Sequence, residues 1–216
     1  MSRYSSRSRA AAFTLVTSAL ATLAGCAWQG SSAPTVSYVL HATPANSASS
    51  SNATTPSSAS TPISLKILPA VTAPGYDTDR ILLQRADRSL DFFAASRWAA
   101  PIPRLLETLA LEVWRDGGVR TFDVGASVPT THALRLTVLR FDVDGDPRAG
   151  SAVVRVRLRG TLLVQADRST SEFEAEASAP VGETRMAAIV AAFEIASNQA
   201  LTNMRAQAAA ALHVTH

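Results

Sequence analysis

Cysteine, lysine and long apolar runs are what this chain has least of. Cys26 is the single cysteine in 216 residues, so no intramolecular disulfide can form and stability has to come from a packed core in any redox compartment. The one lysine, Lys66, lies in an alternating apolar stretch, and no Gly-x-Ser-x-Gly elbow occurs, which leaves serine–lysine and elbow-type nucleophilic chemistry without its parts. Paired carboxylates for hydrolysis depend on a tertiary separation, and no spacing in the chain favours them. His41, His132, His213 and His216 are scattered, with no helical pair and no companion cysteines, so no metal is expected and no cofactor. The apolar run from Ala10 to Thr22 falls short of the roughly 20 residues that a spanning helix needs.

What that run does have is context. Arg3, Arg7 and Arg9 precede it without an acidic residue, and Leu23-Ala24-Gly25-Cys26 closes it. A positive start, a short apolar middle and small residues before a cysteine are the composition of an export signal ending in a lipobox. Ala24 and Gly25 are small enough for an extended backbone to enter a lipoprotein signal peptidase, which would cut between Gly25 and Cys26. The Cys26 thiol would then carry a diacylglyceryl group. Each buried methylene contributes about 0.8 kcal/mol, and two or more chains give stable attachment. The mature protein is expected on a membrane surface.

Cleavage alters the charge balance. The whole chain is formally +3, but residues 1–25 contain three arginines and no acid, which leaves 17 basic residues facing 17 acidic ones. Nucleic-acid binding requires a surplus of Lys and Arg on one face, so the neutral mature chain argues against it.

Three segments follow from composition: a signal peptide over 1–25, a lipidated Cys26 with a Ser/Thr/Ala/Pro-rich segment over 26–62, and a globular domain over 63–216. Between His41 and Thr61 the chain carries no charge and nothing apolar larger than Ala, too little to offset its ordering entropy. Tyr38-Val39-Leu40 interrupts the segment and is expected to dock as a short strand over 38–40. Docking would leave Ala27 to Ser37 as the tether, with an r.m.s. reach of about 18 Å, against roughly 35 Å for a tether running to Pro62.

The globular part reads as α+β: one domain with a mostly antiparallel sheet containing a β-meander, packed against two helices over 101–116 and 184–212. Ile63, Leu65 and Ile67 alternate with polar neighbours and predict a strand that Pro69 ends. Arg80 to Arg85 predicts a second strand, and Asp87 to Arg97 reads as a linking stretch that packs through Phe92 and Phe93. Ile102, Leu105, Leu106, Leu109, Val113 and Trp114 recur at helical spacing up to the terminator Gly117-Gly118. Val119 to Val124, Ala133 to Val143, Ala152 to Gln165 and Glu172 to Glu176 are strand-like, with a bulge where the alternation shifts near Leu139 and Arg140. Met186, Ile189, Phe193, Leu201 and Met204 mark the closing helix, whose polar side lacks the basic residues of a membrane-surface helix, so it is expected to pack on the sheet.

Two charged patterns have plainer readings than ligand binding. Asp142, Asp144 and Asp146 resemble the start of a calcium loop, but the glycine is misplaced at Gly145 and Val153 stands where a bidentate acid belongs, so a hairpin turn is expected. Arg155, Arg157 and Arg159 face a following strand with Glu172, Glu174 and Glu176, which predicts a mutually neutralised, solvated sheet face.

The lipobox, Tyr38 to Leu40, Pro74-Gly75-Tyr76 with Asp79-Arg80 and Arg85, and Arg97-Trp98-Ala99-x-Pro101 opening a helix together resemble the ABC-type transport auxiliary lipoprotein component family, over essentially all of the mature chain. The resemblance implies a non-catalytic accessory lipoprotein of a lipid-transport system, with an MCE-domain protein, a permease and an ATPase as partners. It also suggests Tyr76, Arg97 and Trp98 near a partner surface, with the packing of Trp98 under the following helix an equally good reading. Ala27 follows the lipidated cysteine where inner-membrane retention in well-studied enterobacterial lipoproteins uses aspartate, which implies the outer membrane, with the inner membrane as the alternative. Homo-oligomerisation is left open. So are two other classes, an envelope structural or assembly lipoprotein unrelated to lipid transport and a membrane-tethered hydrolase.

Overall fold

The computed structural model describes residues 34–43, 63–116 and 119–213. The signal segment, Cys26, the stretch 44–62 and the expected terminator Gly117-Gly118 lie outside the described residues. The described strands are β1 (Val36–Tyr38), β2 (Ser64–Ile67), β3 (Val71–Thr72), β4 (Arg80–Gln84), β5 (Leu90–Trp98), β6 (Arg120–Phe122), β7 (His132–Asp144), β8 (Val153–Val164) and β9 (Thr170–Pro180). The two helices are α1 (Ile102–Asp116) and α2 (Met186–His213), and a single 3-10 turn covers Pro147–Ala149. The domain is α+β, as expected, with all nine strands in one sheet.

β7 is the hub of that sheet. Its 13 residues alternate inward and outward until Leu139, where the pairing with β8 shifts register between Val138 and Arg140. Leu134, Leu136 and Val138 therefore face the core before the bulge, and Phe141 and Val143 face it afterwards. Along one edge β7 pairs antiparallel with β8, which pairs antiparallel with β9, giving the expected meander. Along the other edge, β2, β3 and β4 pair with β7 one after another, all parallel. The sheet is thus mixed, with long antiparallel ladders and short parallel ones. Pro69 and Pro74 cut the parallel edge into short pieces, since proline cannot donate to a ladder. The N–H groups of Leu68 and Ala73 still bond to Leu134 O and Val138 O, both at 2.8 Å.

β5 departs from the expectation that 87–97 is a linker. It pairs antiparallel with β4, but the register passes from Leu82↔Phe92 to Arg80↔Arg97, so Phe93 to Ser96 stand opposite Ile81 alone. Such an insertion destroys the period-two pattern from which a strand is read. β1 docks parallel on the far end of β5, Val36 opposite Ser96 and Tyr38 opposite Trp98. The strand is 36–38 rather than 38–40 because the chain leaves the sheet once Tyr38 O has accepted from Ala99 N–H at 2.7 Å.

Both helices pack on the sheet. α1 buries Ile102, Leu106, Leu109, Val113 and Trp114, and Arg115 in its last turn suits the negative end of the helix dipole. α2 buries Ile189, Phe193, Leu201 and Met204 with Ala196, Ala200 and Ala208 between them, which lets it lie close against β8 and β9. The approach is tightest at Gly160 of β8: a Cβ there would stand inside contact distance of the Phe173 ring and 3.1 Å from Met204 Sδ.

Candidate functional site

The residues expected at a partner surface fall in one region but not in one environment. Trp98, the last residue of β5, is 1 % exposed and sits edge-on to Phe141 and Phe193, with centroids 5.8 and 5.1 Å away. Tyr76 is also buried, in the turn before β4, where Gly75 takes a φ of +92° that suits glycine. Its hydroxyl donates to Asp142 Oδ2 at 2.6 Å. Burial first, then the bond to Asp142, holds the phenol above its ordinary range. The side chains of Tyr76 and Trp98 are therefore core groups, Trp98 buried where the following helix begins, as the second of its two readings has it. Arg97, whose side chain is 51 % exposed, reaches Asp79 at 3.5 Å and is the one of the three open to solvent.

Arg97 belongs to a surface at the β1–β5 edge. Thr35, Asp79, Arg80, Phe92 and Arg97 line a cleft of about 160 Å³ there. The Arg80 guanidinium lies 3.8 Å above the centre of the Phe92 ring, a cation–π contact that keeps a charged head over an exposed apolar plate. Arg85, just beyond β4, is paired with Asp91 of β5. Beyond β1 the chain crosses to the helices. The N–H groups of His41, Ala42 and Thr43 donate in turn to Glu194, Glu112 and Asn198 side chains at 3.0, 3.2 and 3.0 Å. Asn198 Nδ2 donates back to His41 O at 2.9 Å. Sequence reasoning missed these anchors, although a polar Asn198 among the apolar positions of α2 was a signal for one of them.

The charged patterns are satisfied internally. Asp142 takes Tyr76 and Arg140, Asp144 takes Arg155 at 2.8 Å and the same Arg140 at 3.2 Å, and Asp146 accepts from Arg148 N–H at the start of the 3-10 turn, so each acid is matched within the domain. Among the described residues no group of three or more His, Cys, Asp and Glu side chains could hold a metal ion. Arg157 and Arg159 both reach Glu174, at 2.7 and 2.6 Å, which is the neutralised face expected from the alternation. A second cleft of about 310 Å³ lies between the helices beside Thr43 and exposed Ile195. No histidine or cysteine lines either cleft. Among the described residues no helix is long and apolar enough to cross a membrane.

These features define a single α+β domain whose open surface consists of a sheet edge, ion-pair ladders and shallow clefts. A model of the ABC-type transport auxiliary lipoprotein component matches residues 38–205, and the chain belongs to that family. No curated protein sequence matches the chain. Among solved structures it is similar to a Xanthomonas campestris protein of the DUF330 family, 24 % identical with a TM-score of 0.57, over 66 % of this chain and 82 % of that one. It is also similar to an uncharacterised protein, 12 % identical with a TM-score of 0.61, over 81 % of this chain and 99 % of that one. At these identities the likeness is one of fold.

Proposed function

We propose that the protein is cleaved behind Gly25, lipidated on Cys26 and held at the periplasmic face of the outer membrane. There it serves, without catalysis of its own, as an accessory component of an MCE-type ABC lipid-transport system. The observation that carries this reading is the family match over 38–205 in a chain that carries a lipobox at Leu23 to Cys26. The choice of an MCE-domain chain as partner, with its permease and ATPase, rests on the resemblance at Tyr38 to Leu40, Pro74 to Tyr76 and Arg97 to Pro101. Ala27 supports the outer membrane over the inner. The globular domain contributes the partner contacts, while the acyl chains supply the attachment.

Cell fractionation combined with mass spectrometry of the N-terminal peptide tests the anchor and its place. The expected result is an acylated Cys26 in the outer-membrane fraction. Recovery solely from the inner membrane would overturn the sorting, and an unmodified cysteine would overturn the anchoring.

A further inference from the structure

Three of the eight large apolar side chains exposed among the described residues lie on the two strands at one edge of the sheet: Val36 of β1 and Leu90 and Phe92 of β5, each 41–50 % exposed. At this edge Phe92 lies under the Arg80 guanidinium, and Phe92, Arg80 and Arg97 line a cleft together with Thr35, the residue through which the N-terminal segment joins β1.

Chain length bounds how far this edge can stand from a lipid anchor. Cys26 precedes Thr35 by nine residues, which span at most about 32 Å when fully extended. A domain of this length is about 40 Å across. A lipid attached at Cys26 therefore keeps Thr35, and the β1 end that follows it, within about 32 Å of the bilayer, less than the width of the domain. Three register pairs hold β1 on β5, and the hydrogen bonds from His41, Ala42 and Thr43 to both helices hold the chain that follows it.

We infer that the β1–β5 edge is a second membrane contact: Phe92, Leu90 and Val36 rest in the lipid headgroup region, with Arg80 and Arg97 directed to lipid phosphates. The inference rests on the anchoring of Cys26 proposed above. Arginine on a long apolar stem beside an exposed aromatic ring suits the boundary between headgroups and acyl chains. Over 77–97 the four arginines, Arg80, Arg85, Arg88 and Arg97, are balanced by four aspartates, Asp77, Asp79, Asp87 and Asp91. Adhesion therefore comes mainly from the apolar side chains, and the arginines set orientation. The contact would fix the tilt of the domain, and hence the direction in which its remaining surface is offered to a partner.

The thiol of Cys26 is consumed by lipid, so a new cysteine is a unique labelling site. Full-length acylated protein carrying Phe92→Cys, and separately Ile195→Cys on α2, is labelled with an environment-sensitive fluorophore. Each is reconstituted into phosphatidylethanolamine–phosphatidylglycerol vesicles containing a nitroxide-bearing lipid. Flotation with about twofold stronger quenching at position 92 than at position 195 is expected for an interfacial side chain. Flotation with equal quenching would overturn the contact and leave the anchoring intact. Energy transfer between labels at position 92 of different copies, without lipid quenching, would overturn it in favour of self-association. Failure to float with an unacylated Cys26 would overturn the anchoring reading, and this inference with it.

Discussion

Tyr76 donates its phenolic hydrogen to Asp142, a carboxylate with no solvent exposure, across 2.6 Å. The bond fastens the turn before β4 to the hub strand β7, and Arg140 Nε completes the shell of Asp142 at 3.0 Å. Removing the hydroxyl leaves a buried acceptor short of a donor. Tyr76→Phe is expected to lose about 1–3 kcal/mol in urea unfolding, although the ring itself is kept.

Trp98 closes the core where β5 meets α1, against Phe141 and Phe193. Trp98→Ala should cost about 3–5 kcal/mol by chemical denaturation, the range for emptying a large aromatic site. Trp98→Phe, which keeps most of the contact, should cost clearly less. A Trp98→Ala variant as stable as the parent would contradict its place in the core.

Gly160 sets the distance between α2 and the sheet. Gly160→Ala drives a methyl group into Phe173 and Met204, and overpacking of this kind costs about 1–3 kcal/mol. Adding Phe173→Ala should recover part of that loss, and the non-additivity is read from a double-mutant cycle of melting temperatures.

His132 is buried at the start of β7, and its burial lowers the imidazole pKa below the ordinary 6.5. The unfolded chain then binds a proton that the folded chain refuses. The stabilising contribution is complete above pH 6.5 and is lost as the pH falls through the lower folded value. The melting temperature should drop between about pH 7 and about pH 5, and His132→Gln should flatten that part of the profile.

Much of this architecture is written in side-chain alternation. Leu134 to Val138 and Val154 to Leu158 show strands with one buried face, the slip near Leu139 shows the bulge, and the arginine and glutamate rows foretell their pairing on Glu174. β5 was hidden because Phe93 to Ser96 interrupt its period. The parallel order of β2, β3 and β4 was hidden as well, since alternation reports a buried face and not a neighbour. The two readings of Trp98 stayed open for a similar reason: a ring beside a helix start has the same sequence context whether covered or open. The β1–β5 edge emerged only when pairing brought Val36 beside Ser96 and placed Thr35 and Phe92 in one cleft.

The central claim is partnership with an MCE-type transport system, and native purification tests it most directly. The full-length acylated protein is extracted from its own envelope in mild detergent, affinity-purified, and its companions are identified by mass spectrometry. The account predicts an MCE-domain chain in the purified complex, diminished when Cys26→Ala frees the protein from the membrane. Folded, acylated protein that repeatedly emerges without any MCE-domain chain would contradict it.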